Sequence, residues 1–318
     1  MIRDVLKNSE EFKSVLNDIK NGKQAHTYLF SSPDKVTAKE MARLVANALL
    51  CEDLCGECEN CVKFNLEHPD VKYFPKKKDL LVEDSNYIVD ESFVKPIFAD
   101  KKIFVIDDFD SSTPAAQNKL LKVLEEPNEN MYYLLSTSNL EGVLPTIRSR
   151  CFKVEIGNFD KKEIESCLVG VFGDLRQIAI AVGDGYLGKT IELSKKLNIE
   201  QVFQLAVDVL CKLKASKEVL IYSKKLLENR DDLPLIFEII SLVLEDMIAL
   251  KTKKKELIKF EFIENKIKEV LDDYSIKAIV EIEKLLTSVM REIKFNTNLT
   301  VVVDNFLMNL LEVKYLCK

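Results

Sequence analysis

The segment that decides the fold is His26-Thr-Tyr-Leu-Phe-Ser-Ser-Pro-Asp-Lys-Val-Thr-Ala-Lys39. Its pattern predicts an apolar strand over residues 26–31, a short loop, and an amphipathic helix over about Val36–Leu50. A strand and a helix in this order often enclose a glycine-rich loop that cradles phosphate groups. The loop in this chain contains no glycine. The segment therefore predicts an α/β unit that lacks the usual phosphate-binding chemistry.

The phosphate-loop pattern G-x-x-x-x-G-K-[ST] brings backbone amides close to the phosphates and supplies a lysine and a Mg²⁺-binding hydroxyl. Its four defining positions are occupied here by Ser32, Thr37, Ala38 and Lys39. If the register is shifted by one so that Lys39 becomes the lysine, proline, alanine and glutamate stand at the other three positions. On this segment alone, a degenerate phosphate loop and an ordinary strand–loop–helix connection both remain open.

The composition describes an ordinary globular protein: 318 residues, 47% hydrophobic and 31% charged, which suggests two or three domains. No apolar run reaches the roughly 18 residues of a membrane span, and residues 1–14 do not resemble a signal peptide. We therefore expect a cytoplasmic protein without membrane contact. A net charge of −6 argues against binding nucleic acid over the whole surface. The two histidines lie beside no credible nucleophile and acid, so a Ser-His-Asp hydrolase has no support.

The first 156 residues alternate short apolar runs with helical patterns, which predicts a parallel sheet covered on both faces. The predicted strands are Thr27–Ser31, Val71–Phe74, Ile103–Ile106, Tyr132–Thr137 and Phe152–Ile156. The predicted helices are Val36–Leu50, Ile88–Ala99, Pro114–Glu126 and Leu144–Arg150. Ligands of such folds bind at the carboxyl ends of the strands, which is where the loop after residue 31 would lie.

The C-terminal third is predicted to be all helical, because every glycine lies at or before Gly188 and only Pro234 follows it. Three apolar stripes recur there at helical spacing, and we interpret them as core or subunit interface. The first, after a predicted N-cap at Ser275, is Ile276, Ile279, Ile282, Leu286, Val289, Met290 and Ile293. The others are Ile236, Ile239, Ile240, Val243, Leu244, Met247 and Ile248, and then Val302, Phe306, Leu310 and Leu311.

Four cysteines follow the predicted helix in the spacing Cys51-x3-Cys55-x2-Cys58-x2-Cys61. In a cytoplasmic protein this crowding favours a metal site over disulfides, and four thiolates suit tetrahedral Zn²⁺. An iron–sulfur cluster is the rival, but the spacing is the reverse of the ferredoxin pattern and no proline follows. We predict a closed, structural zinc site, with His68 as a turn residue rather than a ligand. The remaining cysteines are expected to be small buried hydrophobic residues: Cys151, Cys167, Cys211 and Cys317.

Polar residues follow two of the predicted strands. The third strand ends in Asp107 and Asp108, where P-loop ATPases place the carboxylates that hold Mg²⁺. The fourth strand ends in Ser136-Thr-Ser-Asn139. Taken alone, acidic residues after a buried strand also serve as caps and turns. A basic segment, Leu144-Pro-Thr-Ile-Arg-Ser-Arg-Cys151, comes next.

Four segments together resemble the clamp-loader branch of the AAA+ ATPases. They are His26-Thr-Tyr-Leu-Phe30, Ile103-Phe-Val-Ile-Asp-Asp108, Asn118-Lys-Leu-Leu-Lys-Val-Leu-Glu-Glu-Pro127 and Pro145-Thr-Ile-Arg-Ser-Arg-Cys151. The likeness covers the first 200 residues well, whereas the helical remainder agrees with the family in class and length only. It implies a subunit of a hetero-oligomeric ring, with the ATPase (gamma/tau) and delta subunits of DNA polymerase III as partners. Through them the chain would act on a sliding clamp and primed DNA.

The resemblance also implies an architecture of three domains. Residues 1–158 would form a RecA-like AAA+ domain with a parallel sheet and a zinc module inserted at about residues 50–70. Residues 159–198 would form a small helical lid. Residues 199–318 would form an all-α collar that oligomerises.

For the site, the resemblance implies a chain that neither binds nor hydrolyses ATP, with Asp107 and Asp108 as relics or local hydrogen-bond partners. In the lid, the arginine of active relatives is replaced in Gly185-Tyr-Leu-Gly-Lys189. The motif Ser149-Arg150-Cys151 implies that Arg150 is an arginine finger that reaches the ATP site of a neighbouring subunit. Arg148 is the alternative finger.

Three alternatives remain open at this point. The chain could be an active ATPase subunit with an unconventional loop. It could be a zinc-bearing DNA-binding protein that acts apart from any clamp loader. For Arg150 itself, the alternative is a surface arginine at a helix end that pairs with a carboxylate.

Overall fold

The computed structural model describes residues 2–294 and 298–316. It divides into two compact units, and each consists of two stretches of chain. The first unit is Met1–Val169 with Gly185–Lys189, and the second is Gly170–Asp184 with Thr190–Lys318. The division into three domains at residues 158 and 198 stays a prediction.

The first unit contains a five-stranded, wholly parallel sheet. Its strands are β1 (Thr27–Ser31), β2 (Val71–Phe74), β3 (Lys102–Ile106), β4 (Met131–Thr137) and β5 (Phe152–Glu155), in the order β2-β3-β4-β1-β5. Every position of β1, β3 and β4 is buried, as continuous apolar strands in a covered parallel sheet require. The sequence predicted each strand to within one residue at either end. The predicted α/β class with a helical C-terminal part is confirmed.

Eight helices belong to the first unit within the residues described: α1 (Ile2–Asn8), α2 (Glu10–Lys20), α3 (Lys35–Leu50), α4 (Glu59–Leu66), α5 (Val82–Glu91), α6 (Pro114–Glu125), α7 (Pro145–Arg148) and α8 (Lys161–Cys167). Helices α3, α6 and α7 match the predicted helices, with ends that differ by up to two residues. Apolar side chains of α6 and α7, including Leu120, Val123 and Ile147, pack in one core with side chains from β3 and β4.

The predicted helix Ile88–Ala99 is wrong, because α5 begins at Val82 and ends at Glu91. The buried Lys102 ends it: its ammonium group donates to the Glu91 carbonyl (3.1 Å) and pairs with the Glu91 carboxylate (2.5 Å). The backbone amides of residues 97–99 then donate to the buried carboxylate of Asp70 at 2.7–2.8 Å. Amides held by a carboxylate in this way are not available for a continuous helical ladder. Periodicity alone did not reveal either contact.

All the regular elements that the structure describes in the second unit are helices, as predicted for the C-terminal third. This unit contains α9 (Gly173–Gly183), most of α10 (Leu187–Lys195), α11 (Ile199–Lys212), α12 (Ser216–Glu228), α13 (Leu233–Lys251), α14 (Glu264–Lys268), α15 (Ile276–Lys294) and α16 (Leu299–Leu316). The three apolar stripes pack in or against one buried core, except that Ile276 is exposed. The Ser275 hydroxyl accepts a bond from the amide of Ala278 (3.1 Å), which confirms the predicted N-cap.

None of the helices that the structure describes is long and apolar enough to cross a membrane.

Candidate functional site

Asp34 occupies the position at which the first βα turn of such a fold receives a phosphate. It is the N-cap of α3 and is buried, at 8% exposure. Its carboxylate accepts hydrogen bonds from the amide of Val36 (3.2 Å) and the hydroxyl of Thr37 (2.6 Å). The N-terminus of a helix attracts anions through its free amides and its dipole. In this chain that position holds a carboxylate of the protein itself.

A third donor to Asp34 comes from far along the chain. The amide of Gly188 donates to the second carboxylate oxygen at 2.6 Å. A β-carbon at position 188 would collide with the side chains of Asp34 and Val36. Only glycine therefore allows the backbone to approach the carboxylate this closely. The contact joins the segment Gly185–Lys189 to the head of α3, and both belong to the first unit.

The two carboxylates after β3 are paired with cations of α3. Asp108 contacts the ammonium group of Lys39 (2.5 Å), and Asp107 contacts the guanidinium of Arg43 (2.6 Å). Asp107 also accepts a bond from the hydroxyl of Ser136 at the end of β4 (3.2 Å). Burial raises the pKa of Asp107, although Arg43 and Lys39 act in the opposite direction. The cations of α3 thus lie where an ATPase of this fold would bring Mg²⁺ to these carboxylates.

Arg150 lies between α7 and β5, as the sequence indicated. Its guanidinium donates to the carbonyl oxygen of Thr146 (2.7 Å) and to the carboxylate of Glu125 (2.8 Å). The Arg150 and Glu125 side chains are 32% and 51% exposed. A surface pair of this kind is what the alternative interpretation of Arg150 describes. Arg148 differs, because its Nε is buried and has no hydrogen-bond partner.

The four clustered cysteines converge on one point. Their sulfur atoms all lie within 4.8 Å of one another. A Zn–S bond of about 2.3 Å places tetrahedral sulfurs about 3.8 Å apart, so a small contraction of this cluster suits a metal ion. Gly56 has a φ of +78°, which supports the predicted tight turn. These residues can hold a metal ion: Cys51, Cys55, Cys58 and Cys61.

Two cysteines of the cluster have pKa values shifted in opposite directions by their surroundings. Backbone amides of Cys58 and Glu57 lower the pKa of Cys55 to about 7. Burial raises the pKa of Cys61 to about 12. Because a metal binds thiolates, binding to this cluster releases protons and is favoured as the pH rises.

His68 is not part of that cluster. Its Nδ1 accepts a bond from the amide of Asp70 (3.1 Å), as expected of a turn residue, and its Nε2 faces the side-chain oxygen of Asn60 (3.3 Å). Burial lowers the pKa of this imidazole. Of the cysteines outside the cluster, Cys167 and Cys211 are buried and Cys151 is partly buried, while Cys317 lies outside the described residues.

Sequence reasoning missed four residues of this region: Asp34, Arg43, Glu125 and Gly188 as a contact of Asp34. For two of them a local signal existed. An aspartate before an amphipathic helix is an N-cap pattern, and Arg43 lies four residues after Lys39 on the same face of α3. Glu125 and Gly188 gave no local signal, because their partners are 25 and 154 residues away.

A family model and several curated proteins that resemble this chain are all described as DNA polymerase III subunits. Residues 7–160 match the family model described as DNA polymerase III, delta subunit. A DNA polymerase III subunit gamma/tau of Mycobacterium tuberculosis is 35% identical over 41% of this chain and 24% of its own length. A subunit delta' of Bacillus subtilis is 29% identical over 49% of this chain and 50% of its own length. These curated relatives are thus matched over half of their length or less.

One solved structure supports the fold over nearly the whole chain. It is a DNA polymerase III, gamma subunit-related protein of Thermotoga maritima. The alignment covers 96% of this chain and 100% of that one, with a TM-score of 0.50 and 20% identity. At this identity the likeness concerns the fold alone.

Proposed function

We propose that this chain, which matches the DNA polymerase III delta subunit family model over residues 7–160, is a clamp-loader subunit of DNA polymerase III and serves there as the delta-prime subunit, without ATPase activity of its own. In this role it completes a hetero-pentameric ring with the ATPase (gamma/tau) and delta subunits. The ring places a sliding clamp on primed DNA. The chain contributes architecture and one arginine rather than a nucleotide site.

The observation that carries this proposal is the buried carboxylate of Asp34 at the head of α3. A nucleotide phosphate in the same place would have to displace an anion that already has three donors: Val36, Thr37 and Gly188. It would also meet a like charge at close range, which is costly in a partly buried site. The ion pairs of Lys39 and Arg43 supply positive charge to the carboxylates after β3 in place of a metal ion.

The catalytic contribution that we propose is an arginine finger. Transfer of a γ-phosphoryl group develops negative charge on its oxygens, and an arginine offered by a neighbouring subunit accelerates the reaction by about 10³–10⁵. Arg150 lies two residues after the end of α7, and its side chain is 32% exposed. Its position within Ser149-Arg150-Cys151 favours it over Arg148, whose side chain is partly buried.

The test uses the reconstituted complex of this chain with its partner subunits. Arg150→Ala should leave assembly intact, as judged by gel filtration, and should lower DNA-stimulated ATP hydrolysis. Lys153→Ala is the matched control, since Lys153 is an exposed cation three residues further on. Arg148→Ala tests the alternative finger in the same assay. Hydrolysis that is unchanged by Arg150→Ala would remove the assignment.

For the four cysteines we propose a structural Zn²⁺. The cluster offers four sulfur ligands, so no position is left open for catalysis. Its place at the end of α3 and the start of α4 suggests that the ion fixes the inserted segment to the sheet domain.

A further inference from the structure

The guanidinium of Arg150 is held by two different elements. The carbonyl oxygen of Thr146, in the first turn of α7, accepts a bond from Nη1 at 2.7 Å. The carboxylate of Glu125, the last residue of α6, accepts a bond from Nη2 at 2.8 Å. The two acceptors bind different nitrogens, so they restrict both the position and the rotation of the guanidinium plane.

The elements that carry these acceptors are fixed to each other. Gln117 of α6 is buried, and its side chain bonds the carbonyl of Gly142 and the amide of Leu144, both at 2.8 Å. These bonds fix the chain directly before α7. The buried Ile147 of α7 packs in the same core as Leu120, Val123 and Leu124 of α6. Helices α6 and α7, which carry the two acceptors, are therefore held against each other by hydrogen bonds and a shared core.

From this arrangement we propose that Glu125 is a positioning residue for Arg150. It holds the guanidinium in one preset orientation at the end of α7, ready for the phosphate of a neighbouring subunit. The inference rests on the proposed function, because it assigns a role within the same arginine-finger site.

The number of donors is compatible with this role. A guanidinium has five N–H donors, and the contacts with Thr146 and Glu125 use two of them. Donors thus remain for a phosphate while the holding contacts stay in place. A long arginine side chain loses conformational entropy when it is ordered. With Glu125 in place, that loss occurs in the free subunit rather than when the ATP site is completed.

The ion pair between Arg150 and Glu125 is expected to be weak, which is compatible with a positioning role. Both side chains are substantially exposed, at 32% and 51%, so solvent and salt screen the pair. An exposed pair of this kind adds little to the stability of the fold. The role of Glu125 is therefore to bias the orientation of Arg150 rather than to stabilise the fold.

The experiment measures DNA-stimulated ATP hydrolysis by the reconstituted complex with four forms of this subunit besides the wild type. These are Glu125→Ala, Glu125→Gln, Arg150→Ala, and Glu125→Ala combined with Arg150→Ala. We expect Glu125→Ala to lower kcat about two- to fivefold, the order expected for loss of one exposed ion pair, with the KM for ATP unchanged. Glu125→Gln keeps an oxygen acceptor and should retain at least half of the activity. The double variant should match Arg150→Ala, because Glu125 acts through Arg150.

The matched control is Glu126→Ala, which removes the same charge from the next residue. Glu126 is exposed, and Arg150 makes its side-chain contacts with Thr146 and Glu125 instead. Its kcat should equal that of the wild type.

Two results would overturn the inference and leave the proposed function standing. One is a normal kcat for Glu125→Ala in an assay in which Arg150→Ala is impaired. The other is a further loss on adding Glu125→Ala to Arg150→Ala, since Glu125 would then act independently of the arginine. A normal kcat for Arg150→Ala would instead remove the assignment of Arg150 as the arginine finger, and this inference with it.

Discussion

Asp34 illustrates how one side chain can change the chemistry of a familiar fold. A carboxylate at the head of α3 satisfies amides that would otherwise attract an external anion. The Asp34 carboxylate also accepts hydrogen bonds from the hydroxyl of Thr37 and the amide of Gly188. The loop without glycine thus presents a carboxylate that already accepts three hydrogen bonds.

Gly188 is the residue at which this arrangement is most sensitive to substitution. Gly188→Ala should lower the free energy of unfolding by about 1–3 kcal/mol, because the new β-carbon would collide with Asp34 and Val36. In an open helical position alanine would stabilise the helix, so the expected sign is itself informative. Urea denaturation followed by circular dichroism measures the change.

Gly157→Ala serves as the control, since a β-carbon there would meet no atom within 4 Å. It should be neutral or slightly stabilising. Equal stability of Gly188→Ala and the wild type would show that the contact between Gly188 and Asp34 does not constrain the fold.

At the scale of elements, the segment from Cys51 to α4 is where a metal ion held by the four cysteines would stabilise the structure. Its helix α4 has eight residues and only two buried ones, Cys61 and Phe64, which is little apolar area for a stable helix. Binding of a metal by four thiolates contributes directly to the folding of such a segment.

We predict one zinc ion per chain, measurable by atomic emission on protein purified without added metal. A strong chelator should abolish hydrogen-exchange protection over residues 51–66 and leave protection of the five strands unchanged, because the sheet has its own core. Cys58→Ser should lower the zinc content, whereas Cys151→Ser should not, since Cys151 lies outside the cluster. Full zinc retention by Cys58→Ser would exclude the four-cysteine site.

For the whole molecule, the chain has a parallel-sheet unit that the family model matches over most of its length and a helical unit with a separate core. Polar groups around the head of α3 and the end of β3 are engaged with one another in the first unit: Asp34 with the amide of Gly188, Lys39 with Asp108, and Arg43 with Asp107.

The purified chain should therefore not respond to Mg-ATP. A ligand present at 100 times its Kd adds about 2.7 kcal/mol to stability, which corresponds to a rise of several degrees in Tm. We expect a change in Tm below about 1 °C at about 1 mM Mg-ATP. An ATPase subunit of the proposed complex, measured in parallel, gives the positive control. A rise of several degrees for this chain would favour the alternative of an active ATPase with an unconventional loop.

The sequence by itself determined the strands, most helices, the cysteine cluster and the position of Arg150, because hydrophobic period, glycine content and short spacings are local properties. The helix that the sequence predicted over residues 88–99 is wrong, because Lys102 and Asp70 bind backbone groups of this segment although both lie outside it. Only the tertiary structure decided which charges meet. Lys39 and Asp108 are 69 residues apart in the chain, and strand order brings them to 2.5 Å. Such pairings depend on how elements pack against each other, and no local pattern in the chain encodes that.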